Sequence, residues 1–181
     1  MLPLRASADE SRRRFGTPAT SARMRALETQ VRKPQGERMA IVWSQSVDEI
    51  DWDELSALYL AAPLGHKAPA DLEVAFSNSM FTCFAFESER LVGAGRVLAD
   101  GVDCAYVCDM AVHPSQQGKG VGKAILTDLV NRSRGHSKII LYAVPGKEPF
   151  YQRLGFKRMS TAMAIFEDEV SALKDGYIKE P

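Results

Sequence analysis

The stretch HPSQQGKGVGKAI, His113 to Ile125, holds three glycines at alternate positions, with Lys119 and Lys123 among them and an apolar run beginning within it. Glycines leave backbone N–H groups open to a ligand, and a helix N-terminus adds positive potential, so the stretch suits an anion and above all a phosphate. Two phosphate loops fail on spacing. A P-loop ending at Gly122-Lys123 needs glycine at 117 and a hydroxyl residue at 124, where Gln117 and Ala124 stand. A dinucleotide fingerprint on Gly118 and Gly120 needs glycine or alanine at 123, where Lys123 stands, and it opens a parallel sheet rather than following a meander. What remains is Q-x-x-G-x-G, filled by Gln117, Gly120 and Gly122, for which a pyrophosphate is the natural guest.

Such a loop belongs at a strand-to-helix junction, and the flanking patterns supply one. From Met39 onward, AIVWSQ (40–45) reads as a strand. SVDEIDWDELSALYLAA offers a capping signal and then Leu55, Leu58, Tyr59 and Ala62 at helical spacing. After a loop with Pro63, Gly65 and His66, PADLEVAFSNS predicts a second helix. MFTCFAFES and RLVGAGRVLAD, separated by Glu89, predict an antiparallel hairpin, and Asp100-Gly101 turns into the strand VDCAYVCDMAVH. The glycine loop follows at once. Beyond it Val121, Ala124, Ile125, Leu129 and Val130 make one helical face, closed at Gly135. KIILYAV then predicts a continuous strand, KEPFYQRL a short helix closed by Gly155, and STAMAIFED a last strand. The class is α/β, a mixed sheet with helices on both faces. The unit from Val102 to Val144 is a strand–helix–strand crossover, so its two strands should run parallel.

Composition adds bounds. The 181 residues suit one domain with an added tail, at 45% hydrophobic and 25% charged residues and zero formal net charge. Nothing there calls for nucleic acid or a membrane surface, and no apolar run approaches the ~20 residues of a bilayer span. Residues 1–38 carry nine Lys/Arg against four Asp/Glu, a balance of +5, which leaves fourteen against nineteen in the remainder. This leader reads as a flexible basic extension, an organelle transit peptide or an over-called start, and the domain is expected over 39–181. Cys83, Cys104 and Cys108 are odd in number and sit in apolar segments, which fits buried side chains in a reducing, cytoplasmic setting. On one strand Cys104 and Cys108 lie ~13 Å apart, too far to share a metal.

Three features stand in one order: the strand CDMAVHP with its Val-x-Pro, the Q-x-x-G-x-G loop, and FYQRLGF (Phe150–Phe156) as F-Y-x-x-x-G-F. Together they resemble the GNAT superfamily of acetyl-CoA-dependent N-acetyltransferases, and the order of elements from about Met39 to Asp168 is similar throughout. The resemblance implies a GNAT-type fold whose loop-bearing strand splays from the next parallel strand, with pantetheine in the gap. Backbone groups of Met110, Ala111 and Val112 would bond the pantetheine amides and the thioester carbonyl, where an N–H also stabilises an oxyanion. Gln117, Gly118, Lys119, Gly120, Val121, Gly122 and Lys123 would hold the pyrophosphate.

Tyr151 falls at the family's general-acid position, a phenol of ordinary pKa about 10 that donates a proton as the thiolate leaves. For the base, Asp109 is the nearest carboxylate. Strand alternation, however, puts Tyr106, Cys108 and Met110 on one face and Asp109 on the other. The alternative for Asp109 is a structural bond to loop N–H groups. Tyr106 is a packed tyrosine or a relay through water, and His113 an extended loop residue. His66 lies where the family forms its acceptor pocket, as a contact or a solvated side chain. Trp43 and Trp52 read as core or pocket wall. One departure stands out: many relatives carry asparagine six residues before the Phe-Tyr pair, and here that residue is Val144, followed by Pro145-Gly146-Lys147-Glu148.

The expected activity is acetyl transfer from acetyl-CoA to a small primary amine, such as an arylalkylamine, polyamine or aminoglycoside-like compound, by direct attack in a ternary complex. The alternatives are a protein N-terminus or lysine as acceptor, or a non-catalytic acyl-CoA-binding regulatory module, which would have no use for Tyr151. The expected partners are acetyl-CoA and the amine, with a homodimer allowed and no metal called for. Acidic residues from Asp48 to Glu54, with Asp71 and Glu73, suit a cationic acceptor or simply a solvated helix surface.

Overall fold

The computed structural model describes residues 40–180, and the basic leader 1–38 lies outside the described residues. Five strands follow one another across a single sheet in chain order. β1 (Ile41–Ser44), β2 (Phe81–Glu87), β3 (Arg90–Ala99) and β4 (Cys104–Val112) are antiparallel neighbours, and β5 (Lys138–Ile140) lies parallel to β4. The predicted crossover is therefore present, with helix α3 (Val121–Arg132) between its strands.

Local chemistry sets the elements. Helix α1 (Trp52–Ala61) starts where the Asp51 carboxylate accepts from the N–H groups of Asp53 and Glu54 at 2.9 and 3.1 Å. Pro69, in the first turn of α2 (Pro69–Ser77), sits where its missing N–H has no partner to lose. Ser88 and Glu89 turn β2 into β3 with φ of 49° and 65°, the handedness that a two-residue hairpin turn requires. Asp100 closes the next turn by accepting from the N–H groups of Val102, Asp103 and Cys104.

Period-two alternation divides the core between the two faces of the sheet. Leu55, Leu58 and Tyr59 of α1 and Leu72 and Phe76 of α2 pack with Phe84, Leu91, Ala94 and Ala111 on one face. Ile125, Leu126 and Leu129 of α3 pack with Cys83, Ala85, Val92, Val97, Ala105 and Val107 on the other. Helix α3 lies so close to β3 that a Cβ at Gly93 would sit 2.8 Å from Ile125 Cδ1, and one at Gly95 3.0 Å from Ile125 Cγ2.

Three expectations need correction. KIILYAV is a strand only over Lys138–Ile140, after which residues 141–144 leave the sheet. STAMAIFED forms no strand, and Met163 and Ile165 are fully exposed. Its alternation marks two faces, but the shortened β5 offers no long edge to pair with. After it the chain forms α5 (Glu169–Lys174), capped by the Asp168 carboxylate on the Ser171 N–H. Trp43 is not core: it is 45% exposed on the edge strand β1, whereas Trp52 packs on Phe76 with ring centroids 6.2 Å apart.

Candidate functional site

β4 and β5 share three rungs, Cys104 with Lys138, Ala105 with Ile139 and Tyr106 with Ile140. From Val107 onward the outer edge of β4 has no strand partner among the described residues, so the expected splay is present. On the inner edge the His113 N–H donates to the Val92 carbonyl at 2.8 Å. By antiparallel alternation the next pair, Val112 with Gly93, then turns its polar groups away from the shared ladder. The Val112 carbonyl takes a hydrogen bond from Gln117 Nε2 at 3.0 Å. Gln117 thus ties the loop to the strand through its side chain, a use the glycine spacing did not foretell.

The loop opens with a 3₁₀ turn, Pro114–Gln116, whose first N–H groups are served by His113: its Nδ1 accepts from the Ser115 N–H. Gly118 and Gly120 then take φ of 74° and 93°, which a side chain rarely adopts, and no atom stands within 4 Å of where either Cβ would lie. Gly122 serves differently. A Cβ there would meet Val112 Cγ2 at 3.3 Å, so this glycine lets α3 approach the end of β4. The N–H groups of Gln117 and Lys119 are used inside the loop, and that of Ala124 bonds the Gly120 carbonyl. Those of Gly118, Gly120, Val121, Gly122 and Lys123 have no acceptor among the described residues. Five unpaired donors at the positive end of a twelve-residue helix form a cradle suited to a pyrophosphate. The side chains of Lys119 and Lys123 are exposed.

Helix α4 (Glu148–Gln152) brings Tyr151 to the gap. Its ring packs edge-on against Phe150 and Phe156, with centroids 5.0 and 6.3 Å away, and its hydroxyl has no hydrogen-bond partner among the described residues. Burial alone pushes its pKa up, so the phenol stays protonated at neutral pH. Tyr151 lines a cavity of about 330 Å³ together with Met110 and Leu141 of the gap, Val144, and the aromatic side chains of Tyr106, Tyr142 and Tyr177. Tyr106 and Tyr142 stack with centroids 6.2 Å apart, and Tyr177 stands edge-on to Tyr142 at 5.9 Å. Val144 is part of this wall.

Asp109 departs from expectation. Between Ala94 and Arg96 the β3–β4 register shifts, and Asp109 takes φ of 52° in that bulge. The bulge breaks the alternation expected from sequence: Cys108 stays opposite Arg96, while Met110 turns toward α3 and packs with its core. The Asp109 carboxylate meets Lys67 Nζ at 2.5 Å through one oxygen and Arg96 Nε at 2.5 Å through the other. Its carbonyl accepts from the buried Tyr59 hydroxyl at 2.6 Å. Burial would raise the carboxyl pKa, but the bonds and charges of Lys67 and Arg96 outweigh it and hold the group below its ordinary value. This arrangement argues against Asp109 as a base, and among the described residues no loop N–H bonds its carboxylate. Elsewhere on the cavity wall, burial pushes the Cys108 thiol up to about 11 and raises the Tyr106 phenol, which its neighbour Tyr142 raises further.

Beyond the ion triad lies a second cavity of about 380 Å³, lined by His66, Asp71, Leu72 and Ala75 and sharing Lys67, Arg96 and Asp109 with the first. Sequence reasoning missed Lys67, Arg96, Tyr142 and Tyr177. A signal existed for one of them: Arg96 interrupts the apolar run LVGAGRVLA, and a charge facing a core needs a partner. Ala111, expected at the donor, is buried against α1 and α2, and the same alternation turns its backbone groups toward Ala94 of β3 rather than to the outer edge.

Residues 61–168 match the family model described as an acetyltransferase (GNAT) domain. Over 126 residues the chain is 29% identical to an N-acetyltransferase, ycf52-like, of Prochlorococcus marinus, covering 66% of this chain and 69% of that one. It is 46% identical over 69 residues to the chloroplastic serotonin N-acetyltransferase 2 of rice, covering 37% of this chain and 34% of that protein. The chain thus spans about a third of the rice relative's length. An acetyltransferase of the GNAT family from Streptococcus pneumoniae has a similar fold, with a TM-score of 0.62 at 24% identity over 72% of this chain and all of that one.

Proposed function

Because the chain belongs to the GNAT acetyltransferase family, we propose that it moves the acetyl group of acetyl-CoA to the primary amine of a small molecule, by direct attack with both substrates bound. Acetyl-CoA supplies an activated acyl group whose sulfur leaves as a thiolate. The unpaired N–H groups of Gly118 and of Gly120 to Lys123 suit its pyrophosphate, and the outer edge of β4 beyond Tyr106 suits the amides of its pantetheine arm. A backbone N–H on that edge also suits the thioester oxygen, where negative charge develops.

The observation that carries the reading is the position of Tyr151. A protonated phenol with no partner of its own lines the same cavity as Met110 of the opened edge. A binding module has no need of a proton donor there, whereas a departing thiolate does.

The amine must also lose a proton, and the cavity wall offers no group tuned to take it at neutral pH. Asp109 is held low by two cations, while Cys108 and Tyr106 are pushed up. The acceptor therefore reacts as its free base, with water removing the proton, and Asp109 serves as an anchor.

The body of the acceptor fits the aromatic wall of Tyr106, Tyr142 and Tyr177. Lys67, Arg96 and Asp109 leave one formal positive charge on that wall, which disfavours a polyamine. Asp48, Glu49, Asp51 and Asp53 are exposed and line neither cavity. The name of the rice relative is in keeping with an arylalkylamine. Thiol release from acetyl-CoA, measured with 2-phenylethylamine, spermidine and a lysine-containing peptide, tests the reading. Turnover with the first is expected. Tight acetyl-CoA binding without turnover on any amine would favour the regulatory module.

A further inference from the structure

We infer that Lys67 is a positioning residue, latching the loop between α1 and α2 onto the bulge of β4 and thereby shaping the acceptor side of the cavity. The inference rests on the acetyltransferase reading above. Asp109 is held from two directions that differ in kind. Arg96 comes from β3, the neighbouring strand of the same sheet, and its Nη1 also reaches the Ser79 hydroxyl at 3.3 Å. Lys67 comes from a loop and crosses 42 residues of sequence to the same carboxylate. The bulge is already braced by the sheet without Lys67, so what Lys67 adds is the attachment of the loop.

Its surroundings keep that attachment short and directed. The Ser56 hydroxyl of α1 donates to the Lys67 carbonyl at 2.6 Å, which fixes the backbone from which the side chain leaves. The ammonium stands 5.2 Å from the centre of the Tyr59 ring, and the hydroxyl of that tyrosine holds the Asp109 carbonyl. One helix therefore sets both ends of the ion pair. The Asp109 side chain is only 14% exposed and that of Lys67 36%, so solvent screens the pair less than an open surface pair. Lys67, with Arg96 and Asp109, also forms the partition between the two cavities. Release of Lys67 would loosen the loop that carries Leu64 and His66, whose side chains line the two cavities, and would join the spaces. An acceptor would then have to order the loop as it binds, which weakens its binding and leaves the acetyl-CoA cradle on the far side of β4 unaffected.

The test uses 2-phenylethylamine as acceptor probe. Lys67→Met keeps the length of the side chain and removes its charge. It is expected to raise the acceptor KM about tenfold, with kcat and the acetyl-CoA Kd changed less than about twofold. Lys67→Arg should restore KM to within about threefold. Asp109→Gly, which accepts the left-handed φ without strain, should reproduce the KM rise of Lys67→Met, and the double variant should add nothing further. Amide hydrogen exchange in the free protein reads the latch without turnover. The Leu64 N–H, bonded to the Tyr59 carbonyl, should exchange faster in Lys67→Met and at the native rate in Lys67→Arg. If no amine turns over in the native protein, the acetyltransferase reading falls, and exchange alone decides on the latch. The inference is overturned by native KM and native exchange in Lys67→Met. It is equally overturned if acetyl-CoA affinity falls in parallel with acceptor affinity, which marks a general loss of structure.

Discussion

Tyr106 and Ile140 form the last rung between β4 and β5, and one residue later the two strands part. A row of backbone donors and acceptors is thereby left on the outer edge of β4, where buried groups of that kind would ordinarily be paired. The same Tyr106 stacks on Tyr142, the second residue of β5's chain beyond that rung, so the point of divergence also begins the aromatic wall. An amide-bearing ligand in the gap would have the edge on one side and Tyr151 on another.

Tyr151→Phe should lower kcat by about 10²-fold or more while leaving acetyl-CoA affinity within about twofold. The phenyl ring keeps the edge contacts with Phe150 and Phe156, so only the proton is lost. Steady-state rates and calorimetric titration of acetyl-CoA check the two halves. An unchanged kcat under conditions where chemistry limits the rate would remove Tyr151 from the acid role.

Gly120→Val forces a β-branched side chain to φ of 93°, at about 1–2 kcal/mol, and disturbs the N–H groups on either side. Acetyl-CoA binding should weaken at least about tenfold, with Tm lower by several degrees. Calorimetric titration of a variant shown to be folded gives the answer, and native affinity would count against the cradle.

The loop was legible because its backbone demands particular residues. Gly118 and Gly120 are at positive φ and Gly122 at a close helix–strand contact, so each leaves a mark in the sequence. The helix α1 was legible for a similar reason, since Leu55, Leu58 and Tyr59 recur at its turn and all three are buried. The bulge at Asp109 left no mark. A left-handed aspartate is possible in many contexts, and the strand reads as regular until the register of β3 is known. Lys67 is a loop lysine like any other until the fold brings it to Asp109. The failure at STAMAIFED has a different origin. Alternating apolar residues state which faces a strand would have, but not whether an edge lies beside it.

The carboxyl of Asp109 has its folded pKa below the ordinary 3.8, so the triad stabilises the fold above about pH 4. That contribution is lost as pH falls from there through the lower folded pKa. Asp109→Asn should thus be less stable than the native protein at pH 7, with the difference shrinking below pH 4. Urea unfolding at pH 7, 4 and 3 measures it. A difference independent of pH would show that the ion pairs are not its source.

With no wall group tuned to accept a proton near neutrality, kcat/KM should rise with pH and level off near the pKa of the acceptor itself. Two amines of different basicity should therefore give different midpoints. A common midpoint near 6.5 for both would indicate a histidine base instead, with His66 of the adjoining cavity the first to substitute.

The central claim is that one cavity holds donor and amine together for direct transfer. Initial velocities measured while acetyl-CoA and 2-phenylethylamine are varied against each other test it most directly. Intersecting reciprocal plots, with one N-acetylated amine formed per thiol released, are the predicted result. Parallel plots accompanied by an acetylated Cys108, or thiol release without acetylated amine, would contradict it.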